Sequence, residues 1–214
     1  MKFLDCGIRP LGVYPVVDRT YKLTVLYKAG ITTAQLRVKD MAGEVLENEI
    51  KEAIHISSEY NTRLFINDFW ELAVKHKAYG VHLGQEDIQE ANVQAIYDAG
   101  LRLGISTHTT AEIDIALNFE PSYIAIGPIY ETTSKKMVYS PVGLEDLKRW
   151  AKGVDYPIVA IAGINLGNIE EVLKTGAANG VAMISGVLED DGEVSRLKTI
   201  MLVDKFNRVW REIH

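Results

Sequence analysis

RLFINDFWELAVKHKAYGVHLGQED, residues 63–87, contains a complete strand–helix–strand repeat. Short apolar runs near its two ends predict strands, and the residues between them have helical spacing. Asp68 follows the first predicted strand, and Asp87 follows the second. Parallel strands need a crossover connection, which is usually a helix. The stretch therefore predicts two neighbouring parallel strands whose carboxyl ends both carry acidic residues.

The same alternation continues in both directions along the 214 residues. The predicted strands are 12–17, 32–38, 63–66, 80–83, 102–106, 122–126, 157–162 and 180–184. The predicted helices are 44–60, 69–78, 88–99, 111–119, 143–152, 167–175 and 193–213. We predict an α/β fold, a single (β/α)8 TIM barrel over 1–214, with 1–11 as an N-terminal lead-in and 193–213 as a C-terminal helix. The alternative, an open doubly wound sheet, is disfavoured because no G-x-G-x-x-G follows the first strand.

Composition narrows the class of function. The net charge of −6 argues against a broad nucleic-acid-binding surface, which needs a basic face. The longest apolar run, 157–164, is far shorter than the roughly 20 residues of a membrane span. Cys6 is the only cysteine, which excludes an intramolecular disulfide and fits a cytoplasmic location. We expect small-molecule substrates and neither nucleic acid nor membrane as partner; a homo-oligomer is left open.

Gln35, Arg37 and Lys39 alternate with apolar residues at the end of the second predicted strand. Side chains alternate across a strand, so the three polar groups share one face. Burying two cations without partners would cost several kcal/mol. A bound polyanion at the barrel mouth would supply the partner; a layer of salt bridges inside the barrel is the alternative.

Asp68 and Asp87 follow adjacent predicted strands and can therefore converge. Two carboxylates together with substrate phosphates suit Mg²⁺. The alternative is that each aspartate caps the helix that follows it. Glu86 is a second candidate for the ligand position that we assign to Asp87.

Two other places predict contacts to phosphate groups. The connection 128–142 lacks a helical pattern, and loops of this length are usually functional lids or disordered. It carries hydroxyl and lysine side chains suited to phosphate oxygens, although a solvated surface loop remains the alternative. Gly163 and Ser185 follow strands seven and eight, where barrels often bind a phosphate, but ordinary turn chemistry also accounts for them. We set His82 and His108 aside as structural histidines, because no zinc-ligand spacing joins them.

Six motifs resemble the thiamine-phosphate synthase (thiamine-phosphate pyrophosphorylase) family. They are QLRVKD (35–40), LFINDFWELAVKHKAYGVHLGQED (64–87), GISTHT (104–109), YIAIGPIYETTSKK (123–136), VAIAGI (159–164) and VAMIS (181–185). The resemblance implies a TIM barrel and a transferase. It implies a reaction that joins hydroxymethylpyrimidine pyrophosphate to a thiazole phosphate with Mg²⁺, giving thiamine phosphate and pyrophosphate.

The resemblance also implies a role for each matching residue. Residues that resemble those holding the pyrimidine pyrophosphate are Gln35, Arg37, Lys39 and Asn67. Asp68 and Asp87 resemble the Mg²⁺ ligands, and Ser106 resembles a serine beside the pyrophosphate and the reacting carbon. Residues that resemble the lid are Thr132, Ser134 and Lys135. Residues that resemble the thiazole phosphate site are Gly163, Ile184 and Ser185. Among these, the resemblance implies catalytic roles for Arg37, Lys39, Ser106 and Lys135.

The chain departs from the family pattern at four positions. Glu131 and Ser134 alter the lid motif, Val38 stands where some members carry an acid, and Ala162 stands where a second glycine is usual. None of these changes removes a cation or a metal ligand. Two other functions remain open: a thiazole tautomerase, which would need a base rather than cations for pyrophosphate, and a non-catalytic thiamine-phosphate-binding protein.

Overall fold

The computed structural model describes residues 1–7, 10–132 and 139–214, and its eight strands form a closed parallel barrel in chain order. The strands are β1 Gly12–Val17, β2 Thr33–Leu36, β3 Arg63–Asn67, β4 Gly80–Leu83, β5 Arg102–Thr107, β6 Tyr123–Ile126, β7 Ile158–Ile161 and β8 Gly180–Met183. The helices are α1 Tyr21–Lys28, α2 Gly43–Glu59, α3 Trp70–Lys75, α4 Asp87–Glu90, α5 Val93–Asp98, α6 Thr110–Leu117, α7 Gly143–Ala151, α8 Ile169–Lys174 and α9 Arg196–Ile213. The predicted (β/α)8 barrel is confirmed.

Most predicted boundaries differ from the structure by one to three residues, and the differences at β2, at 88–99 and at the C-terminal helix are the most informative. β2 ends at Leu36 and not at 38, so Arg37 and Lys39 lie on the connection just beyond the strand. The predicted helix 88–99 is two short helices, because Ala91 is extended and the Asn92 side chain accepts a hydrogen bond from the Ala95 amide to start α5. The C-terminal helix begins at Arg196, where the Ser195 side chain caps it, and not at 193.

Helix α1 does not appear among the predicted helices, although it fills the crossover between β1 and β2. It spans only eight residues, and its sequence mixes Lys22 and Thr24 with its apolar positions. Lys22 is nevertheless buried, with its ammonium bound to Asp18 and to the Gly192 carbonyl. Tertiary partners therefore stabilise a helix that the hydrophobic pattern alone indicates poorly.

The apolar core has two layers. The outer layer lies between strands and helices, and the inner layer fills the amino-terminal half of the barrel. In the inner layer the rings of Phe65 and Tyr123 pack edge to face with centroids 5.1 Å apart. Gly104 makes room for them, since a Cβ at this position would lie 2.2 Å from Tyr123 Cζ. This end of the barrel is a packed core, as is usual for the fold.

The N-terminal segment covers the amino-terminal end of the barrel. Arg63 donates to the carbonyls of Cys6 and Pro10, and the Ser122 hydroxyl donates to the carbonyl of Leu4. Cys6 is buried there, and desolvation raises its pKa to about 11, so the thiol stays protonated at neutral pH. The cavity must therefore lie at the opposite end.

Pro15 lies within β1 without disrupting the barrel. Residues of the same parity in a strand present their backbone groups to the same neighbour, and the Val17 carbonyl accepts from the Arg37 amide beyond β2. The missing N–H of Pro15 therefore falls on the β2 side. On that side the pairing of β1 is limited to Val16 and Val17, whereas Pro15 pairs in register with β8.

Within the described residues, we find no helix that combines the length and the apolar character needed to cross a membrane.

Candidate active site

A cavity of about 480 Å³ opens at the carboxyl ends of the strands. Every predicted site residue that the structure describes lines it: Gln35, Arg37, Lys39, Asn67, Asp68, Asp87, Ser106, Thr132, Gly163, Ile184 and Ser185. The two remaining predicted residues, Ser134 and Lys135, lie outside the described residues. The cavity is in the size range of small-molecule sites, and it lies where barrel enzymes place their chemistry.

The polar residues at the end of β2 and just beyond it line the cavity, as the alternation predicts. Leu36 and Val38 pack in the outer core, whereas Gln35, Arg37 and Lys39 line the cavity. Lys39 forms an ion pair with Asp68. Among the residues that the structure describes, no carboxylate forms an ion pair with Arg37. A complete layer of salt bridges is therefore not present in this part of the barrel, which favours an anionic ligand as the partner of Arg37.

Asp68 is held in an unusual backbone conformation at the end of β3. Its φ is +63°, a left-handed value that non-glycine residues adopt rarely. Its amide donates to the His82 carbonyl at 3.1 Å, and its carbonyl accepts from the Trp70 amide at 2.7 Å. Its carboxylate accepts from Asn67 Nδ2 and pairs with Lys39. Such conformations persist where the surroundings impose them, and they cluster at functional sites.

Asp87 lines the same cavity from the first residue of α4. Its Oδ2 accepts from the Gly84 amide at 3.2 Å, and a Cβ on Gly84 would approach that oxygen to 2.8 Å. Neither aspartate caps the following helix. The residues at the N-cap positions of α3 and α4 are Phe69 and Glu86, and neither helix has a side-chain cap. The capping alternative is therefore wrong for both.

The donor set fits Mg²⁺ better than a transition metal. The described residues contain no group of three or more His, Cys, Asp or Glu side chains placed to hold an ion. Mg²⁺ does not need such a cage, because it usually binds through one or two carboxylates and the phosphates of a substrate. Asp68, Glu86 and Asp87 line the mouth, and carboxylate oxygens are the hard donors that Mg²⁺ prefers. These three carboxylates outnumber the cations Arg37 and Lys39 among the described lining residues, so a polyanion would need further positive charge there.

The turns after β7 and β8 lie together at one side of the cavity. Gly163 has φ +71°, and a Cβ there would lie 2.5 Å from Tyr130 Cβ, so this position requires glycine. Asn168 braces the turn, since its Nδ2 donates to the Gly163 carbonyl and its Oδ1 accepts from the Asn165 amide. Ser185 begins the 3₁₀ turn Ser185–Val187 directly after β8. Residues of both turns therefore line the cavity.

Ala162 explains why a second glycine is usual beside Gly163. Its φ is +77°, a conformation that is strained for any residue with a Cβ. The strain of such a conformation is about 1–2 kcal/mol per residue. The sequence therefore accepts a small backbone strain at the cavity wall, where alanine adds only one methyl group to what glycine would place there.

His82 and His108 also line the cavity, although the sequence analysis interprets both as structural histidines. His82 Nε2 lies 2.7 Å from Ser106 Oγ, and its Nδ1 lies 2.7 Å from the Tyr123 hydroxyl. His108 stacks on Tyr139 with ring centroids 4.4 Å apart, and both contact Glu112. Alternation offers a signal for His82, since it has the same parity in β4 as the inward-facing Gly80.

Fold and cavity together define a (β/α)8-barrel protein whose mouth combines cations, carboxylates and the turns after β7 and β8. The model of one family, described as thiamine monophosphate synthase, matches residues 13–187. The chain therefore belongs to the thiamine monophosphate synthase family.

Individual relatives agree. Thiamine-phosphate synthase from Citrobacter koseri is 51% identical over 178 residues, which are 83% of this chain and 84% of the relative. Thiamine-phosphate synthase from an Enterobacter species is 47% identical over 194 residues, 90% of this chain and 92% of the relative. Among solved structures, thiamine phosphate pyrophosphorylase from Pyrococcus furiosus superposes with a TM-score of 0.81 at 28% identity. That superposition covers 93% of this chain and 96% of the other.

Proposed function

We propose that this chain is a thiamine-phosphate synthase. It would join 4-amino-2-methyl-5-hydroxymethylpyrimidine pyrophosphate to 4-methyl-5-(2-phosphoethyl)thiazole, or to the carboxylated form of that thiazole, and release pyrophosphate. The observation that carries the proposal is the convergence, at one barrel mouth, of every described residue that resembles the family's site. About 50% identity to relatives of that name supports the same activity.

The chemistry asks for charge stabilisation more than for a nucleophile. In the proposed reaction the carbon–oxygen bond to pyrophosphate breaks first, and its electron pair leaves with the pyrophosphate. The lone pair of the thiazole nitrogen then forms the new carbon–nitrogen bond with the pyrimidine cation. Preorganised charges around the leaving group lower such a barrier, and exclusion of water protects the cation.

The residues near β2 and β3 would hold the pyrimidine pyrophosphate. Arg37 lines the cavity and is available to bind an anion. Lys39 lines the same cavity, where it pairs with Asp68. Gln35 and Asn67 are buried amides at the cavity floor, suited to hydrogen bonds with the polar edge of a pyrimidine. Ser106 completes this side with its hydroxyl.

Asp68 and Asp87 would hold Mg²⁺ together with oxygens of the pyrophosphate. When bound, the ion would act as a Lewis acid on the leaving group and fix its orientation. The excess of carboxylates over cations among the described lining residues supports this assignment, because a pyrophosphate alone would be repelled by them.

The opposite side of the cavity would bind the thiazole phosphate. Gly163 permits close backbone approach, while Ile184 and Ser185 lead into the 3₁₀ turn after β8. Thr132 lines the cavity at the start of the 128–142 connection. With Ser134 and Lys135, it would form a lid over both substrates, with Lys135 on the pyrophosphate.

The test is a turnover assay with the purified chain, both substrates and Mg²⁺, which follows thiamine phosphate and pyrophosphate. We expect equal amounts of the two products, and none when either substrate or Mg²⁺ is left out. Isomerisation of a thiazole without the pyrimidine substrate would point to the tautomerase instead. Binding of thiamine phosphate without any product would point to the non-catalytic binding protein.

We place this activity in the cytoplasm and assign it to the whole chain as one domain. A single buried thiol needs no oxidising compartment, which supports that location.

A further inference from the structure

Ser106 belongs to a hydrogen-bonded chain that runs through the inside of the barrel. The chain begins at Gln35 on the cavity floor, where Nε2 lies 3.5 Å from the Tyr14 hydroxyl. Tyr14 and Tyr123 hydroxyls are 2.9 Å apart. Tyr123 then contacts His82 Nδ1, and His82 Nε2 contacts Ser106 Oγ, each at 2.7 Å. The chain therefore leaves the cavity at β2 and returns to it at β5.

The chain lies in a low-dielectric environment. Tyr14 is 1% exposed, Tyr123 is 0% exposed and His82 is 6% exposed. Desolvation raises the pKa of both phenols above the ordinary value, so both stay protonated and each contributes one hydroxyl proton. A buried polar group that loses its partner is costly, so each proton in such a chain has a preferred acceptor.

The first link determines the direction of the others. An amide NH₂ only donates, so Tyr14 accepts from Gln35 and directs its own proton to the Tyr123 oxygen. Tyr123 in turn donates to His82 Nδ1. A neutral imidazole that accepts at Nδ1 carries its proton on Nε2, so His82 donates to Ser106 Oγ.

We propose that Tyr123 and His82 are positioning residues. Tyr123 holds His82 in the Nε2–H tautomer, and His82 then donates to Ser106, so that the Ser106 hydroxyl keeps its own proton for the departing pyrophosphate. This proposal rests on the proposed function and deepens it. Ser106 is fixed from a second direction, because Gln85 Nε2 donates to its backbone carbonyl at 2.7 Å. Because Ser106 Oγ accepts the hydrogen bond from His82, its own proton is available to donate into the cavity, where the leaving group gains negative charge. The serine would thus act as a hydrogen-bond donor and not as a base.

The opposite direction is a definite alternative. If Gln35 presented its oxygen to Tyr14, each hydrogen bond would run in the opposite direction. His82 would then carry its proton on Nδ1, and the Ser106 hydroxyl would donate to His82 Nε2 and not to the leaving group. The tautomer of His82 therefore decides between the two arrangements.

Nitrogen-15 NMR of the imidazole reads this tautomer without any assay of activity. The resonances of His82 are those absent from the spectrum of His82→Gln. We expect one protonated nitrogen at Nε2 and one unprotonated nitrogen at Nδ1. An Nδ1–H tautomer or an imidazolium would overturn the proposal. Because this readout needs no substrate, it stays informative even if the chain makes no thiamine phosphate, in which case the proposed function fails on its own.

Kinetics tests the consequence for catalysis. Tyr123→Phe keeps the ring and removes the donor to His82, and we expect kcat to fall about 10-fold with KM nearly unchanged. The control is Tyr79→Phe, since Tyr79 also packs on Phe65 but has no contact with this chain of hydrogen bonds. In a Ser106→Ala background, Tyr123→Phe should have no further effect on kcat. Equal losses in both tyrosine variants, or independent losses in the double variant, would show that Tyr123 acts only through packing.

Discussion

The two ends of the barrel use the same strands for opposite purposes. At the amino-terminal end, Tyr14, Phe65 and Tyr123 fill the interior, and Gly104 leaves them room. At the carboxyl end, the same strands carry Asn67 and Ser106, and the space is open. A step of two residues along a strand leads from the packed core to the cavity, as from Phe65 to Asn67 in β3. Stability and chemistry are therefore divided along the axis of the barrel.

This division predicts that substitutions at the packed end lower stability, whereas substitutions at the mouth lower activity. Residues other than glycine with positive φ occur at both ends: Asp68 and Ala162 line the mouth, and Asn61, Lys77 and Glu120 lie in the turns before β3, β4 and β6. Backbone strain is therefore not confined to the end that carries the chemistry. The following variants test this division, in order of decreasing effect.

Removal of both carboxylates should have the largest effect. We expect Asp68→Ala combined with Asp87→Ala to abolish Mg²⁺-dependent turnover, because Glu86 would then be the only carboxylate left among the described residues that line the cavity. The midpoint of thermal unfolding should stay close to that of the unchanged chain. Steady-state kinetics over a Mg²⁺ titration checks the first expectation. Turnover at the original rate would refute the metal assignment.

Loss of one cation should have a smaller but large effect. We expect Arg37→Ala to lower kcat/KM about 10²-fold or more, as removal of one preorganised charge contact does. Arg102→Ala is the matched control, since Arg102 starts β5 at the other end and donates to the Asp5 carbonyl. Its kcat/KM should stay unchanged. If both variants were equally active, Arg37 would have no contact with the leaving group.

A change at the packed end should affect stability. Gly104→Ala puts a Cβ 2.2 Å from Tyr123 Cζ, and we expect a loss of about 1–3 kcal/mol in the free energy of unfolding. Urea denaturation measures it. Arg37→Ala serves here as the comparison, with a change below about 0.5 kcal/mol. A Gly104→Ala chain of unchanged stability would mean that the amino-terminal interior is loosely packed.

The sequence predicted the barrel because its signals are local. Strand and helix alternate in residues 63–87 as in the other repeats, and alternation alone places Arg37 on the cavity side. Helix α1 was not predicted, because buried partners and not its hydrophobic pattern stabilise it. The region 88–99 was predicted as one helix, because the hydrophobic pattern does not indicate that Ala91 is extended. The roles of Ser134 and Lys135 stay predictions, since both lie outside the described residues.

The site was predicted less completely than the fold. Asp68 and Asp87 could be named from their places after strands. Ser106, which lies inside β5, was named through the resemblance, and the resemblance supplied the proposed roles of all three. His82 could not be linked to Ser106, because the two are 24 residues apart and meet only where β4 and β5 pair. The strained backbone of Ala162 could not be predicted either, since a positive φ is a property of the folded backbone.

By itself, the sequence determined the order of the elements, the direction of their side chains and the chemical types that gather at one end of the strands. These follow from spacing, because hydrophobic periods of two and of about 3.6 residues select strand and helix. Only the tertiary structure decided which polar groups touch. Closing the barrel brings Tyr14 on β1 to Tyr123 on β6, and it orders hydrogen bonds that depend on distances of a few tenths of an ångström.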